Sequence, residues 1–235
     1  MKSNLLHILF DSFYNFLLPK HCAVCERSIG TKEAFLCLKC FYDLPYTEMQ
    51  GLEENPISIN LLTKLKIENS FALLYFVEGG TIRKLLHQMK YGNRPEIGLY
   101  LGKLMGRKLL ESNYMNDIDI IVPIPLHKKK KHLRGYNQSD YIAEGLALEI
   151  KKPVNKSNVV RVINTNSQTD KNRAERLKNV ANAFKVKDTA LFSNKHLLLI
   201  DDVFTTGATI ASCGNAILKD TNCKISVATI ALPVE

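Results

Sequence analysis

Nothing in the 235-residue sequence reads as a membrane span, an internal repeat or a low-complexity tract. A spanning helix needs about 20 consecutive apolar residues. The nearest approach is residues 1–18, where Leu5, Leu6, Ile8, Leu9, Phe10, Phe13, Phe16 and Leu17 are interrupted by His7, Asp11 and Asn15. A secretory core would be unbroken and followed by a small-residue cleavage site, whereas Pro19-Lys20-His21 follows here. The expectation is an amphipathic helix ending at Pro19 and packing on the protein, with an interfacial helix as the alternative. The chain is expected in the cytoplasm. Acidic side chains are the scarcer charge, 23 against 32 lysines and arginines, which leaves a net charge of +9. That excess favours polyanionic partners: phosphorylated ligands, nucleic acid or anionic surfaces. Apolar residues make up 46% and charged residues 23%, ordinary for a globular protein. The length suffices for a full core plus a small appendage.

The chain is organised around Leu197-Leu198-Leu199-Ile200-Asp201-Asp202-Val203-Phe204-Thr205-Thr206-Gly207-Ala208-Thr209. Four aliphatics are too few for a helix and suit a strand buried on both faces. Ile210, Cys213, Ile217 and Leu218 then recur at helical spacing. The pattern is strand, turn and helix, with the polar chemistry in the turn. In an open parallel sheet, ligands bind at the carboxyl ends of strands. A turn opening a helix also presents unpaired N–H groups and the positive end of the helix dipole. Gly207 lets the backbone close around an anion, and Thr205, Thr206 and Thr209 add hydroxyl donors. Asp201 and Asp202 would repel that anion and suit sugar hydroxyls or a cation instead. A sugar phosphate fits both halves. The alternative is a buried strand whose aspartates merely cap the next helix.

Cys22-x-x-Cys25 and Cys37-x-x-Cys40 form two knuckles eleven residues apart. This spacing lets four thiolates converge on one structural Zn²⁺. Disulfides are the competing reading, disfavoured in a reducing cytosol. A segment this short has little core, so metal binding would supply much of its folding free energy. His21 reads as an exposed neighbour of the first ligand, and Cys213 and Cys223 as small apolar residues. From about residue 42 to 70 the signals are weak, with Gly51, Glu53, Glu54, Asn55 and Pro56 reading as a linker.

Residues 71–77 then read as a strand, and Thr81 as the cap of a helix with Ile82, Leu85, Leu86 and Met89 on one face. Arg83, Lys84, His87 and Lys90 occupy the rest and lead into Tyr91-Gly92-Asn93-Arg94, either a solvated surface or a phosphate or nucleic-acid contact. A second helical pattern runs through Leu99, Leu101, Leu104, Met105 and Leu109. Ile118, Ile120, Ile121 and Val122 form a strand that ends in Pro123-Ile124-Pro125-Leu126-His127, a stiff loop at its carboxyl end. Lys128 to Lys131, His132 and Arg134 follow as a dense cationic loop, ending in Gly135-Tyr136-Asn137-Gln138. Placed after a parallel strand, that loop shares the rim of the Asp-Asp turn and would screen a polyphosphate; a solvated lysine run is the alternative. Asn137 or Ser139 would cap the helix carrying Ile142, Leu146 and Ile150. Residues 159–163 and 225–232 read as further strands. Between them lie Gln168 and a positively charged segment with Arg173, Arg176 and Lys178.

The 197–209 run resembles the phosphoribosyl-diphosphate (PRPP) signature of type I phosphoribosyltransferases. In that family the acidic pair contacts ribose hydroxyls and the Thr/Gly loop holds the 5′-phosphate. Several spaced motifs together resemble the ComF family of bacterial competence-associated proteins. They are Cys22/Cys25/Cys37/Cys40, Leu85-Leu86-His87-Gln88-Met89-Lys90-Tyr91, Val122 to His127, Arg134-Gly135-Tyr136-Asn137-Gln138, Gln168 with Arg173, Arg176 and Asn179, and the Asp-Asp-Thr-Thr-Gly turn. The resemblance implies an amphipathic helix and zinc module over 1–50. Over 51–235 it implies an α/β phosphoribosyltransferase-like domain, an open, mostly parallel sheet flanked by helices. It implies PRPP at residues 201–209 and diphosphate near Pro123, Ile124, Pro125 and Leu126, with Mg²⁺ arriving alongside. A mobile 128–134 segment would close over the ligand, with Lys130, Arg134, Gly135, Asn137, Gln138, Arg173 and Arg176 around it. Relatives more often carry arginines where this loop has lysines, which keep the charge but lose bidentate phosphate geometry.

The function so implied is a cytoplasmic, competence-associated protein of DNA uptake and natural transformation. It would bind PRPP–Mg and single-stranded DNA, with DNA-uptake or recombination proteins as partners. The alternative is an active transferase in which a nitrogen nucleophile displaces diphosphate at ribose C1. For that reaction the sequence shows no residue that selects a nucleobase and no evident base to deprotonate one. A purely structural zinc module is a third reading, and it leaves the Asp-Asp turn unexplained.

Overall fold

The structure is a computed structural model that describes residues 20–30, 35–49, 54–112, 117–163 and 183–234. The expected helix over 1–18, Gly51 and Glu53 of the linker, and Gln168, Arg173, Arg176, Lys178 and Asn179 lie outside the described residues. Four strands form one parallel sheet in the order β1 (Ser70–Phe76), β6 (Lys224–Pro233), β5 (His196–Val203), β2 (Ile120–Pro123). Parallel strands covered on both faces read as unbroken apolar runs. Leu197, Leu198, Leu199 and Ile200 are completely buried, with Leu199 in register between Val122 and Val227.

The covering helices are α3 (Thr81–Tyr91), α4 (Pro95–Ser112), α6 (Gln138–Ile150) and α7 (Ala208–Leu218). Ile82, Leu85, Leu86 and Met89 form the buried stripe of α3, as their spacing predicts. The pair α4 and α6 is the most closely packed. A Cβ on Gly102 would run into the Ile142 carbonyl, and one on Gly145 into the Leu99 carbonyl, so only glycine permits the approach.

The cysteine segment docks onto this body. After the short α1 (Leu38–Tyr42), residues 44–49 run beside β1: Thr47 N–H donates to the Leu73 carbonyl (3.0 Å) and Tyr75 N–H to that of Pro45 (2.7 Å). The open edge of β1 is thereby paired.

Several local expectations change. Residues 55–61 are not linker but α2 (Pro56–Leu61), with Pro56 in the first turn. The buried Asn55 side chain accepts from Ile57 and Ser58 N–H, and Ser58 Oγ accepts from Asn55 N–H, a reciprocal cap. Gly80, not Thr81, occupies the cap of α3. The lysine run is a helix, α5 (Lys128–Arg134), opened by the His127 ring accepting from Lys129 N–H and closed by Gly135 at φ 79°. Lysine and leucine are good helix formers, and one cap at each end suffices for two turns. The Val159 strand is β3 (Val159–Arg161); it leaves the main sheet and pairs antiparallel with an unexpected β4 (Phe184–Val186).

Candidate functional site

Strand β5 delivers Asp201 and Asp202 at its carboxyl end, where the chain turns into α7. Gly207 sits at φ 69°, in the left-handed region, and a Cβ there would meet Leu61, Asn60 and the Phe204 ring within 3.0 Å. Glycine is therefore required for both backbone and space. Behind the turn, Phe204 is buried and its N–H donates to the Ala231 carbonyl at 2.8 Å, while Thr205, Thr206 and Ala208 are exposed at the rim. From the other side, Lys64 Nζ donates to the Thr206 carbonyl at 3.0 Å and braces the bend.

A cleft of about 230 Å³ opens at this turn. Asp201, Asp202, Val203, Thr205 and Thr209 form one wall, and Ile124, Pro125 and Leu126 the floor beyond β2. Pro123 is buried as the last residue of β2. Lys90, Arg134, Gln138, Ser139 and Arg161 complete the lining. Lys130 and Gly135 face an adjoining groove with Lys90 and Arg134. Asn137 holds the floor: its Nδ2 donates to the Ile124 carbonyl (3.1 Å) and to Asp140 Oδ1 (2.7 Å), so it occupies the cap position of α6 without capping it. Ser139 Oγ donates to Asp201 Oδ1 at 3.3 Å. Gln138 is 1% exposed, and its Nε2 has no hydrogen-bond partner among the described residues. A buried donor facing a cleft is costly unless a ligand or water meets it.

The electrostatics are unbalanced in both signs. Lys90 Nζ lies 2.9 Å from Asp202 Oδ2, both side chains mostly buried. Burial, and then the neighbouring Asp202 charge, push the Asp201 carboxyl up to about 7 despite the Asp202 N–H at 2.9 Å and the Ser139 hydroxyl. Burial lowers Lys130, helped by Arg161, Arg134 and Lys90 crowding it. Burial also lowers Arg161, with Asp201 working against it. Four cations thus converge beside two acids, a setting that an anionic ligand with hydroxyls would relieve.

By sequence, Lys90 belongs to a basic helix face that is either solvated or contacts a phosphate or nucleic acid, Ser139 is a cap candidate and Arg161 is part of a strand. The pairing that carries Arg161 to the cleft is long-range, and no local pattern announces it.

At the cysteine cluster the Sγ atoms of Cys22, Cys25, Cys37 and Cys40 all lie within 4.8 Å of one another, with Cys25 and Cys37 at 3.7 Å. Tetrahedral Zn–S bonds of about 2.3 Å put sulfurs about 3.8 Å apart, so the set fits. Burial opposes charge on Cys22, yet hydrogen bonds from the backbone of Cys25, Cys37 and Val24 outweigh it and bring the thiol down to about 6. Burial and the three neighbouring thiols push Cys40 up. His21 is exposed, and its Nδ1 lies 2.9 Å from the Glu26 carbonyl, outside the cluster. Gln88 Nε2 donates to the Ala23 carbonyl at 2.7 Å, tying the first knuckle to α3. Among the described residues no helix is long and apolar enough to cross a membrane.

No protein-family model matches the chain. A hypoxanthine phosphoribosyltransferase from Staphylococcus aureus superposes with a TM-score of 0.34 at 16% identity, over 57% of this chain and 62% of that one. The competence protein F of Haemophilus influenzae is 26% identical over 220 residues, 88% of this chain and 93% of its own. The DNA utilization protein YhgH of Salmonella typhimurium is 30% identical over 204 residues, 85% of this chain and 84% of its own. On this similarity along most of both sequences, the chain belongs to the ComF family of competence and DNA utilization proteins.

Proposed function

We propose that the cleft at the ends of β2 and β5 binds PRPP with Mg²⁺, and that the protein acts in the handling of DNA during uptake, binding single-stranded DNA. The observation that carries the reading is the convergence of Asp201 and Asp202 with Lys90, Lys130, Arg134 and Arg161 on one small cleft and its adjoining groove. In this reading the acids take the ribose hydroxyls. The amides that open α7, with Thr205, Thr206 and Thr209, take the 5′-phosphate. The 123–126 loop and Gln138 meet the diphosphate, and the cations screen it; Mg²⁺ would neutralise further diphosphate charge. Arg173 and Arg176 belong to the same proposal as closing contacts from the segment outside the described residues. Zn²⁺ on Cys22, Cys25, Cys37 and Cys40 would be structural, and the names of the relatives, competence and DNA utilization, support the DNA role.

A second reading, transfer of the phosphoribosyl group to a nitrogen acceptor, is favoured by Asp201. Burial and the Asp202 charge raise its carboxyl to about 7, and a carboxyl in that range can accept a proton at neutral pH.

The test is thermal melting with PRPP and Mg²⁺. A ligand at about 100 times its dissociation constant adds about 2.7 kcal/mol to stability. The expected result is a rise in melting temperature with PRPP and Mg²⁺ together, smaller with PRPP alone. No rise at millimolar PRPP counts against the reading.

A further inference from the structure

A wider groove of about 640 Å³ adjoins the cleft and shares Lys90 and Arg134 with it. Tyr91, Asn93, Lys130, Leu133 and Gly135 line the remainder, with no acidic residue among the described residues there. Two of these residues are out of place on a basic surface: Tyr91 is 67% exposed and Leu133 84%. Lys90 and Tyr91 end α3, where consecutive residues diverge by about 100°. Lys90 therefore reaches the Asp202 carboxylate while Tyr91 opens onto the groove. The Arg134 guanidinium lies 5.1 Å over the Tyr91 ring, and its Nη2 is 3.3 Å from the phenol oxygen. The His87 ring stands 5.1 Å away, tilted 47°.

A site for phosphate alone needs charge and amides, not an exposed ring and an exposed leucine. A strand of nucleotides needs both: cations for the backbone and an aromatic face for a base. A groove lined by three cations, of which Lys90 is already paired with Asp202, is complementary to such a strand and to few protein surfaces.

We propose that this groove seats one unstacked base of a single-stranded nucleic acid on the Tyr91 ring, its flanking phosphates on Lys130 and Arg134, directly beside the ribose-phosphate cleft. The adjacency to a bound ribose phosphate rests on the PRPP part of the function proposed above, and the stacking site deepens its single-stranded DNA part. The cations common to both cavities would place the strand and PRPP in competition.

The test uses the full chain and a fluorescent single-stranded oligothymidylate about 12 nucleotides long, within the range that single-strand binders cover. Binding is followed by anisotropy at low salt, beside calorimetric titration of PRPP–Mg. The expected result is a loss of about tenfold or more in oligonucleotide affinity for Tyr91→Ala and near-native affinity for Tyr91→Phe, with PRPP binding unchanged in both. Affinity should also fall steeply with salt. Native oligonucleotide affinity in Tyr91→Ala would overturn the proposal, as would no binding by the native protein. Equal loss of PRPP and oligonucleotide would also overturn it, since the ring would then be only a strut for Arg134. Equal losses in Tyr91→Ala and Tyr91→Phe would do so as well, assigning the effect to the phenol contact. Ring-dependent oligonucleotide binding without any PRPP binding would sustain the stacking site and remove the ribose-phosphate reading instead.

Discussion

Asp201 and Asp202 sit side by side in sequence and at the end of one strand, yet the fold treats them differently. Asp202 has Lys90 at 2.9 Å, whereas Asp201 is part-buried against Asp202 and takes the Ser139 hydroxyl and a backbone amide. Its carboxyl is raised from about 3.8 to about 7. Across that window the unfolded chain has released a proton that the folded chain keeps. Stability should therefore fall as pH rises from about 4 to 7 and level off above it. Melting curves across this range should show a steeper decline for the native protein than for Asp201→Asn; parallel profiles would mean that Asp201 titrates normally. The acidic pair was legible in the sequence because both residues lie in one local run. Arg161 was not, because it reaches the cleft through pairing of residues 159–161 with 184–186, a contact without local signature.

The elements carry a different lesson. The strand–turn–helix at 196–218 reads directly from four aliphatics, two acids, Thr-Thr-Gly and helical spacing, since every feature is local. Helix α5 was missed because a lysine run was read for its charge, although its residues are good helix formers and His127 and Gly135 close its ends. Helix α2 was missed although Asn-Pro-Ile-Ser spells its cap. The cysteine knuckles were read from spacing, but their attachment to α3 through Gln88 and Ala23 was not, being specific to the packed form. If the four thiolates hold one Zn²⁺, elemental analysis should find one equivalent per chain. Cys37→Ser should lose it and melt at least about 5 °C lower, about 2 kcal/mol at this chain length. Full metal content in that variant would show that the cluster is not the site.

For the whole molecule, the parallel sheet followed from apolar strands separated by helical patterns, because burial on both faces leaves a readable mark. The order β1-β6-β5-β2 did not, since neighbours in a parallel sheet are set by crossovers rather than by adjacent sequence. That order puts the carboxyl ends of β2 and β5 next to each other, with β5 in register with β2 from Ile120↔Leu197 to Pro123↔Ile200. The proline loop and the aspartate turn thereby become one cleft, into which α3 and α5 bring their cations. The net charge of +9 is consistent with that cation-lined surface without locating it. Titration calorimetry of PRPP–Mg into the full chain and into Asp202→Asn, with circular dichroism to verify the fold, tests this most directly. One saturable site in the native protein, weakened at least about tenfold in the variant, is expected. No heat, or identical affinities in the two proteins, would mean that a ribose phosphate does not bind at this turn.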